Sequence, residues 1–354
     1  MFENIIRPET LEPVVRSVIN IGIILINIAI IVGIALLHVA YATYFERKTI
    51  GHMQVRLGPI EVGPHGILQP IADGLKLLFK EDVIPQVADR TVFYIAPVIF
   101  FTAAMTSLAV IPFFEKFVIA DINIGLLFLF AMSSLGAYGI VISGWASNSK
   151  YAFLGGLRSA AQVLSYEIPM GLSLVGVMIM AGSLNLSEIV KAQQGYPLGL
   201  YLIPQILGFV VFVIAMFAET GRCPFDLPEA ESELVAGYFV EYSGFRFALF
   251  FLGEYVGMFI MSSIAVVCFL GGWTVPQFIL GIPLIGDILS KVPGIIWFLL
   301  KVYFFIFLYY WVRATVPRYR YDQLMAIGWK ILIPVALANI VITGLIKLWV
   351  KGMI

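Results

Sequence analysis

Runs of apolar residues long enough to cross a bilayer alternate along this chain with shorter charged segments. A helix crossing the hydrocarbon core needs roughly 20 consecutive apolar residues, and eight stretches come close to that length. They are Ser17–Phe45, Thr91–Phe114, Ile122–Gly144, Val163–Gly182, Leu200–Ala218, Phe247–Trp273, Val292–Val312 and Ile327–Trp349. The first is uncharged throughout. Glu167, Glu254 and Lys301 interrupt the fourth, sixth and seventh, and Glu219 closes the fifth. The pattern predicts an all-α integral membrane protein of about eight transmembrane helices, with residues 1–354 forming one transmembrane domain.

The connecting segments differ in kind. Those after the even-numbered spans are short or bland. Residues 45–90 and 219–246 are long, charged and punctuated by Gly and Pro. Within the first of these, Gly66–Glu81 (GILQPIADGLKLLFKE) spaces Ile67, Ile71, Leu75 and Leu78 at helical intervals, with Asp73, Lys76 and Lys80 on other faces. This predicts an amphipathic helix. Periodicity alone allows it to lie along the membrane surface or to pack on its own protein. The odd loops carry thirteen Lys and Arg residues, and the even loops three: Lys116, Lys191 and Lys291. Basic residues favour the cytoplasmic side, so the odd loops are expected there, with both termini on the periplasmic side of a bacterial inner membrane. The N-terminal MFENIIRPETLEPVVRS carries acidic residues and no small-residue cleavage site, so no signal peptide is expected. The two halves share no repeated motif, which speaks against an inverted-repeat transporter.

Composition sharpens this picture. Hydrophobic residues make up 60% of the 354 positions and charged residues 12%, with a mean hydropathy of +0.96. A soluble domain carries about 25% charged residues, so lipid must be the solvent for much of this surface. The formal net charge of zero argues against nucleic acid as a partner. Cys223 and Cys268 are too few to ligate an iron–sulfur cluster, and His38, His52 and His65 show no haem-type or zinc-type spacing. No metal site, covalently bound cofactor or catalytic residue is assigned to this chain. Any redox cofactor belongs to another subunit or is a free ligand.

The chemistry therefore lies in charges at the edges of the spans. Glu167, Glu219 and Glu254 sit where a charge costs roughly 2.5–3.5 kcal/mol on insertion scales. Each either carries protons or neutralises a cation such as Arg158, Arg222, Arg246 or Lys301, and three such sites favour a proton relay. Pro169 follows Glu167 closely and frees the carbonyl of Ser165, a natural place for water beside that carboxylate. From Glu219 to Glu241 (ETGRCPFDLPEAESELVAGYFVE) five glutamates and Asp226 face a single cation, Arg222. Such a run is either a solvated acidic surface or a loop shaped by Pro224, Phe225, Leu227 and Pro228 and covered by a partner. Coverage is the favoured reading.

Five segments carry a resemblance: ERKTIGHMQVRLGP (46–59), GILQPIADGLKLLFKE (66–81), GWASNSKYAFLG (144–155), PFDLPEAESELVAG (224–237) and RATVPRYRYD (313–322). In this order and spacing they resemble the H-subunit family of the proton-pumping NADH:quinone oxidoreductase, respiratory complex I. The resemblance implies a membrane component at the heel of that enzyme, with ubiquinone or another quinone as substrate. FMN and iron–sulfur clusters would sit on partner subunits. The expected partners are peripheral-arm subunits at the quinone site and small membrane subunits. It further implies a quinone chamber whose wall or rim includes Glu46, Arg47, Lys48, Arg56, Asp73, Arg222 and Glu241. An acidic proton relay would include Glu167, Glu219, Glu254, Asp226, Glu229 and Glu231. Some relatives carry a further glutamate on the third span; here residues 122–166 contain no acidic residue, so that relay does not transfer intact.

Three rival readings stand beside this one. Membrane-bound [NiFe] hydrogenases have a homologous component sharing the ERK and PFD motifs, but the GWASNSKYA segment and the complete fifth loop favour the quinone enzymes. A secondary transporter would use the membrane glutamates and Lys301 for ions. A scaffold would only anchor the peripheral arm.

Overall fold

The computed structural model of the protein describes residues 13–115, 117–196, 199–227, 235–275 and 291–350. These fold into an all-helical bundle. The helices, in chain order, are α1 (Pro13–Met53), α2 (Gln69–Phe79), α3 (Arg90–Ser107), α4 (Gly125–Ala146), α5 (Lys150–Ala181) and α6 (Leu186–Gln193). They continue with α7 (Ile206–Glu219), α8 (Gly244–Phe269), α9 (Gly294–Thr315), α10 (Tyr321–Ala326) and α11 (Ile333–Val350). A π-helical turn, Ile327–Leu332, joins α10 to α11. Seven of the resulting segments are long and apolar enough to cross a membrane, and α7 is a shorter apolar helix. The protein is a multi-pass membrane protein with about eight transmembrane helices. Glu229, Glu231 and Glu233 of the acidic loop lie outside the described residues.

Helix ends depart from span ends where charge and backbone chemistry override hydropathy. The first apolar run stops at Phe45, yet α1 continues to Met53, because Glu46–Met53 contains no breaker until its Gly51. That extension carries Glu46, Arg47 and Lys48 beyond the apolar run. Likewise, α5 begins at Lys150 rather than Val163, leaving only a tight turn after α4. Small residues permit this: a Cβ on Gly155 would sit 2.7 Å from the Cα of Gly237, so the helix and the fifth loop touch backbone to backbone. Conversely, Leu200–Gln205 is not helix. Pro204 cannot donate into a preceding turn, and the buried Gln205 side chain instead pairs with Thr343 Oγ1 at 2.7 Å and Asn339 Nδ2 at 2.8 Å on α11. The 14-residue α7 covers only about 21 Å.

The Ser165 carbonyl lies near Gly328 of the π-helical turn, 3.6 Å from where a Cβ on that glycine would stand. Among the described residues, Lys301 pairs with no glutamate. Its Nζ donates to the carbonyls of Leu270 (2.6 Å), Gly272 (3.0 Å) and Thr274 (2.8 Å), closing the C-terminal end of α8, where a cation suits both the orphan carbonyls and the helix dipole. Gln193 adds a bond to Val267 O at 2.6 Å.

Helix α2 forms where its periodicity predicts. Ile71, Leu75 and Leu78 remain 54%, 48% and 57% exposed, so its apolar face is not packed on its own protein. Asp73, on another face, pairs with Arg47 of α1 at 2.6 Å. α8 lies at the centre: nearly its whole length is buried among α1, α3, α7 and α9.

Candidate functional site: two cavities sharing one glutamate

The overrun of α1 places Glu46 against α8 and α9. Its carboxylate is 4% exposed and is held on three sides. Arg313 at the end of α9 donates to Oε1, Tyr255 of α8 donates to Oε2 at 2.6 Å, and Arg222 Nη1 lies 4.0 Å from Oε1. Arg222 comes from the turn after α7. Its other terminal nitrogen reaches Glu254 of α8 at 3.5 Å, and its guanidinium lies 4.3 Å from the centroid of the Tyr255 ring. Tyr238 donates to the other oxygen of Glu254 at 3.0 Å. One arginine thus joins two buried carboxylates from different helices, and every partner here is a charged or hydroxyl donor, as buried charge requires.

Glu46, Arg222, Glu254, Tyr255 and Arg313 wall a cavity of about 530 Å³, together with Arg47, Ile50, Gln54, Arg56, Phe239, Phe247, Phe250 and Phe251. That volume falls in the range of small-molecule sites, roughly 300–1,000 Å³. One side is aromatic and the other is cationic: four arginines face two glutamates. A flat apolar ring bearing polar oxygens matches such walls. Just outside, Asp226 pairs with Arg318 at 3.1 Å. Burial pushes its carboxyl up to about 6, against the pull of Arg318 and with the push of Glu254.

A second cavity, of about 110 Å³, lies deeper between α3, α4, α5, α7 and α8. It is mostly apolar, with Ser133, Ser159, Gln162, Thr220, Tyr238, Glu219 and Glu254 supplying polar groups. Glu254 therefore lines both cavities. Glu219 is held by the Ser133 hydroxyl and Glu167 by the neighbouring Ser134 hydroxyl, both on α4. The third span thus offers two serines to the buried acids rather than a carboxylate of its own.

The residues expected from the sequence are sorted by this geometry. Glu46, Arg47, Arg56 and Arg222 come together around the outer cavity. Asp73 is tied to it through Arg47. Lys48 and Glu241 are not among its lining residues; Lys48 Nζ lies 5.8 Å from the Tyr44 ring centroid. Glu219 and Glu254 share the inner cavity, and Glu167 joins them across the serine pair. The ion-pairing alternative holds for Glu254, with Arg222. It fails for two other suggested cations: Arg246 pairs with Asp82 at 2.8 Å, and Lys301 serves backbone carbonyls. Glu229 and Glu231 lie outside the described residues.

Sequence reasoning missed Arg313, Tyr255, Tyr238, Arg318, Ser133, Ser134 and Gln162. Arg313 carried a signal, since it closes an apolar span and opens the RATVPRYRYD segment. The serines and tyrosines carried none, being ordinary residues of apolar helices.

Comparison with known proteins agrees with this arrangement of motifs. A family model described as NADH dehydrogenase matches residues 26–344. The H subunit of the NADH-quinone oxidoreductase of Rhodospirillum rubrum is 57% identical over 307 residues, covering 86% of this chain and 88% of that protein. The protein of the same description from Paramagnetospirillum magneticum is 54% identical over 322 residues, 91% of each chain. That from Magnetococcus marinus is 51% identical over 321 residues, covering 91% of this chain and 90% of the relative.

Proposed function

Since the chain belongs to the NADH dehydrogenase family, we propose that it is the membrane subunit in which a proton-translocating NADH:quinone oxidoreductase receives its quinone and takes up the charge of its reduction. The outer cavity is the chain's share of the quinone chamber. Its aromatic wall accepts the ring, while the arginines and Tyr255 offer donors to the quinone oxygens. Arg47, Arg56 and Arg222 belong to that wall, and Lys48, Asp73 and Glu241 to its rim. Glu254, Glu219 and Glu167, reached past Asp226, Glu229 and Glu231, form the acidic relay leading inward. The wide mouth of the cavity is closed by peripheral-arm subunits. They bring electrons through FMN and iron–sulfur clusters of their own. The basic loops face the cytoplasm of a bacterial cell, and both termini face the periplasm.

The observation that carries this reading is the double role of Glu254. It is joined through Arg222 to Glu46 in the outer cavity and lines the inner one together with Glu219. Reducing a quinone takes up protons, so carboxylates beside it change charge with each turnover, and closely spaced acids pass such a change on because their titrations are coupled. Held by a serine rather than a cation, Glu219 changes charge without breaking an ion pair.

Glu219→Gln tests the relay. It keeps the Ser133 contact but cannot release a proton, so quinone-linked turnover and proton pumping should fall together in the isolated complex. Full turnover with unchanged stoichiometry would remove Glu219 from the relay. Isolation in mild detergent separates the transporter alternative, because flavin and iron–sulfur absorbance should accompany this protein.

A further inference from the structure

Gln162 occupies a position that the relay does not use and that ordinary packing does not explain. It is 1% exposed, on α5. Its amide nitrogen donates to two carbonyls at once, Ala218 O and Phe225 O, each at 2.7 Å. Ala218 O lies at the end of α7, where its backbone partner is the tight-turn N–H of Gly221 at 3.3 Å. Phe225 O lies across the turn that follows. Between these two points run residues 219–224, with Glu219 at one end and Arg222 in the middle. A primary amide suits this task, since it supplies two donors from one atom without bringing a charge.

The other end of the same amide faces a different problem. Gln162 Oε1 is buried without a hydrogen-bond partner, and so is Glu219 Oε2. Both residues line the inner cavity of about 110 Å³, beside the hydroxyls of Ser133, Ser159, Thr220 and Tyr238. While Glu219 is ionised the two acceptors cannot satisfy each other, whereas a water between them would donate one hydrogen to each, and a cavity of this size with several polar groups is roomy enough to hold it.

We propose that Gln162 is a positioning residue for the relay: its amide nitrogen clamps the Glu219–Phe225 turn, and its amide oxygen holds a water that donates to Glu219. The clamp fixes the distance between Glu219, which faces the inner cavity, and Arg222, which ties Glu46 to Glu254. The water gives the second oxygen of Glu219 a donor that no described side chain supplies. The functional consequence rests on the reading of Glu219 given above; the placement of the turn and the water does not.

The test uses the assembled enzyme with Gln162→Met, which keeps length and loses all three contacts, and Gln162→Glu, which retains a single donor only while protonated. Infrared difference spectra between low and high pH report the Glu219 carboxyl, its band identified by loss in Glu219→Gln. In Gln162→Met that band should shift to the position of a less hydrogen-bonded carboxyl. kcat should fall about tenfold or more, the scale of a modest misplacement of a reacting group, with KM little changed. In Gln162→Glu turnover should decline as pH rises and the new carboxyl ionises beside Glu219, Glu254 and Tyr238, with Arg222 on the clamped turn. If Gln162→Met does not assemble, the same band and pH profile are read from Gln162→Glu. An unshifted Glu219 band with a wild-type pH profile overturns the assignment of Gln162. A shifted band with undiminished turnover and pumping supports that assignment and instead refutes the relay role of Glu219.

Discussion

Removing one oxygen from Tyr255 separates the hydrogen bonding around Glu46 from its packing. Tyr255→Phe keeps the ring on which Arg222 stacks but deletes the donor to Glu46 Oε2 at 2.6 Å. A hydrogen bond to a charged group is worth about 1.5–3 kcal/mol, or about one to two decades in a rate or equilibrium constant. Tyr310 provides the control. It is also 4% exposed, and its hydroxyl donates to a neutral acceptor, Ala42 O, at 3.0 Å, worth about 0.5–1.5 kcal/mol. Because Glu46 anchors both Arg222 and Arg313, the loss is read as kcat/KM for quinone in the isolated complex. Tyr255→Phe should lower it by about one to two decades and Tyr310→Phe by about one or less. In a Glu46→Gln background, Tyr255→Phe should cost much less, since the charged acceptor is already gone; contacting residues are expected to be non-additive. Equal losses for the two tyrosines, or full additivity with Glu46→Gln, would refute the role given to this bond.

Two further predictions test other parts of the structure. Lys301→Met should leave the carbonyls of Leu270, Gly272 and Thr274 without their donor, at about 1–3 kcal/mol for a buried unsatisfied group. The thermal midpoint of the complex should drop while the turnover of surviving enzyme stays near normal; a selective loss of pumping at unchanged stability would instead give Lys301 an ionic role. Asp226 offers a pH signature. With its carboxyl held up at about 6, it is mostly protonated below that pH and anionic above it, and only the anion forms an ion pair with Arg318. Turnover should rise through about pH 6 as the pair forms, and Asp226→Asn should flatten that rise; a rise with the same midpoint in the variant would assign it to another group.

Hydropathy and motif order determined the broad outcome, because both are local properties of the chain. Long uncharged runs must become membrane helices, since backbone groups in lipid find partners only within a helix or a closed barrel. The amphipathic α2 was equally legible, because a 3.6-residue period survives in any tertiary setting. The five motif segments identified the family, and the resemblance grouped Glu46, Arg47, Lys48, Arg56, Asp73, Arg222 and Glu241, of which Glu46, Arg47, Arg56 and Arg222 line one cavity.

Tertiary structure decided where each helix ended and what each charge was for. Helix α7 starts only after Pro204, and the buried Gln205 beside that start finds its side-chain partners on α11, more than 130 residues away, which no window of sequence contains. Lys301 reads as an ion-pairing residue until the end of α8 arrives beside it with three free carbonyls. Glu167, Glu219 and Glu254 look alike in sequence: each is an acid within or at the edge of an apolar run. The fold gives Glu254 an arginine and the other two a serine each, and that difference sets which can change charge without breaking an ion pair. Ser133, Ser134 and Gln162 escaped notice for the same reason. A neutral polar residue in a membrane helix has no meaning until the structure shows which buried group would be left unsatisfied without it.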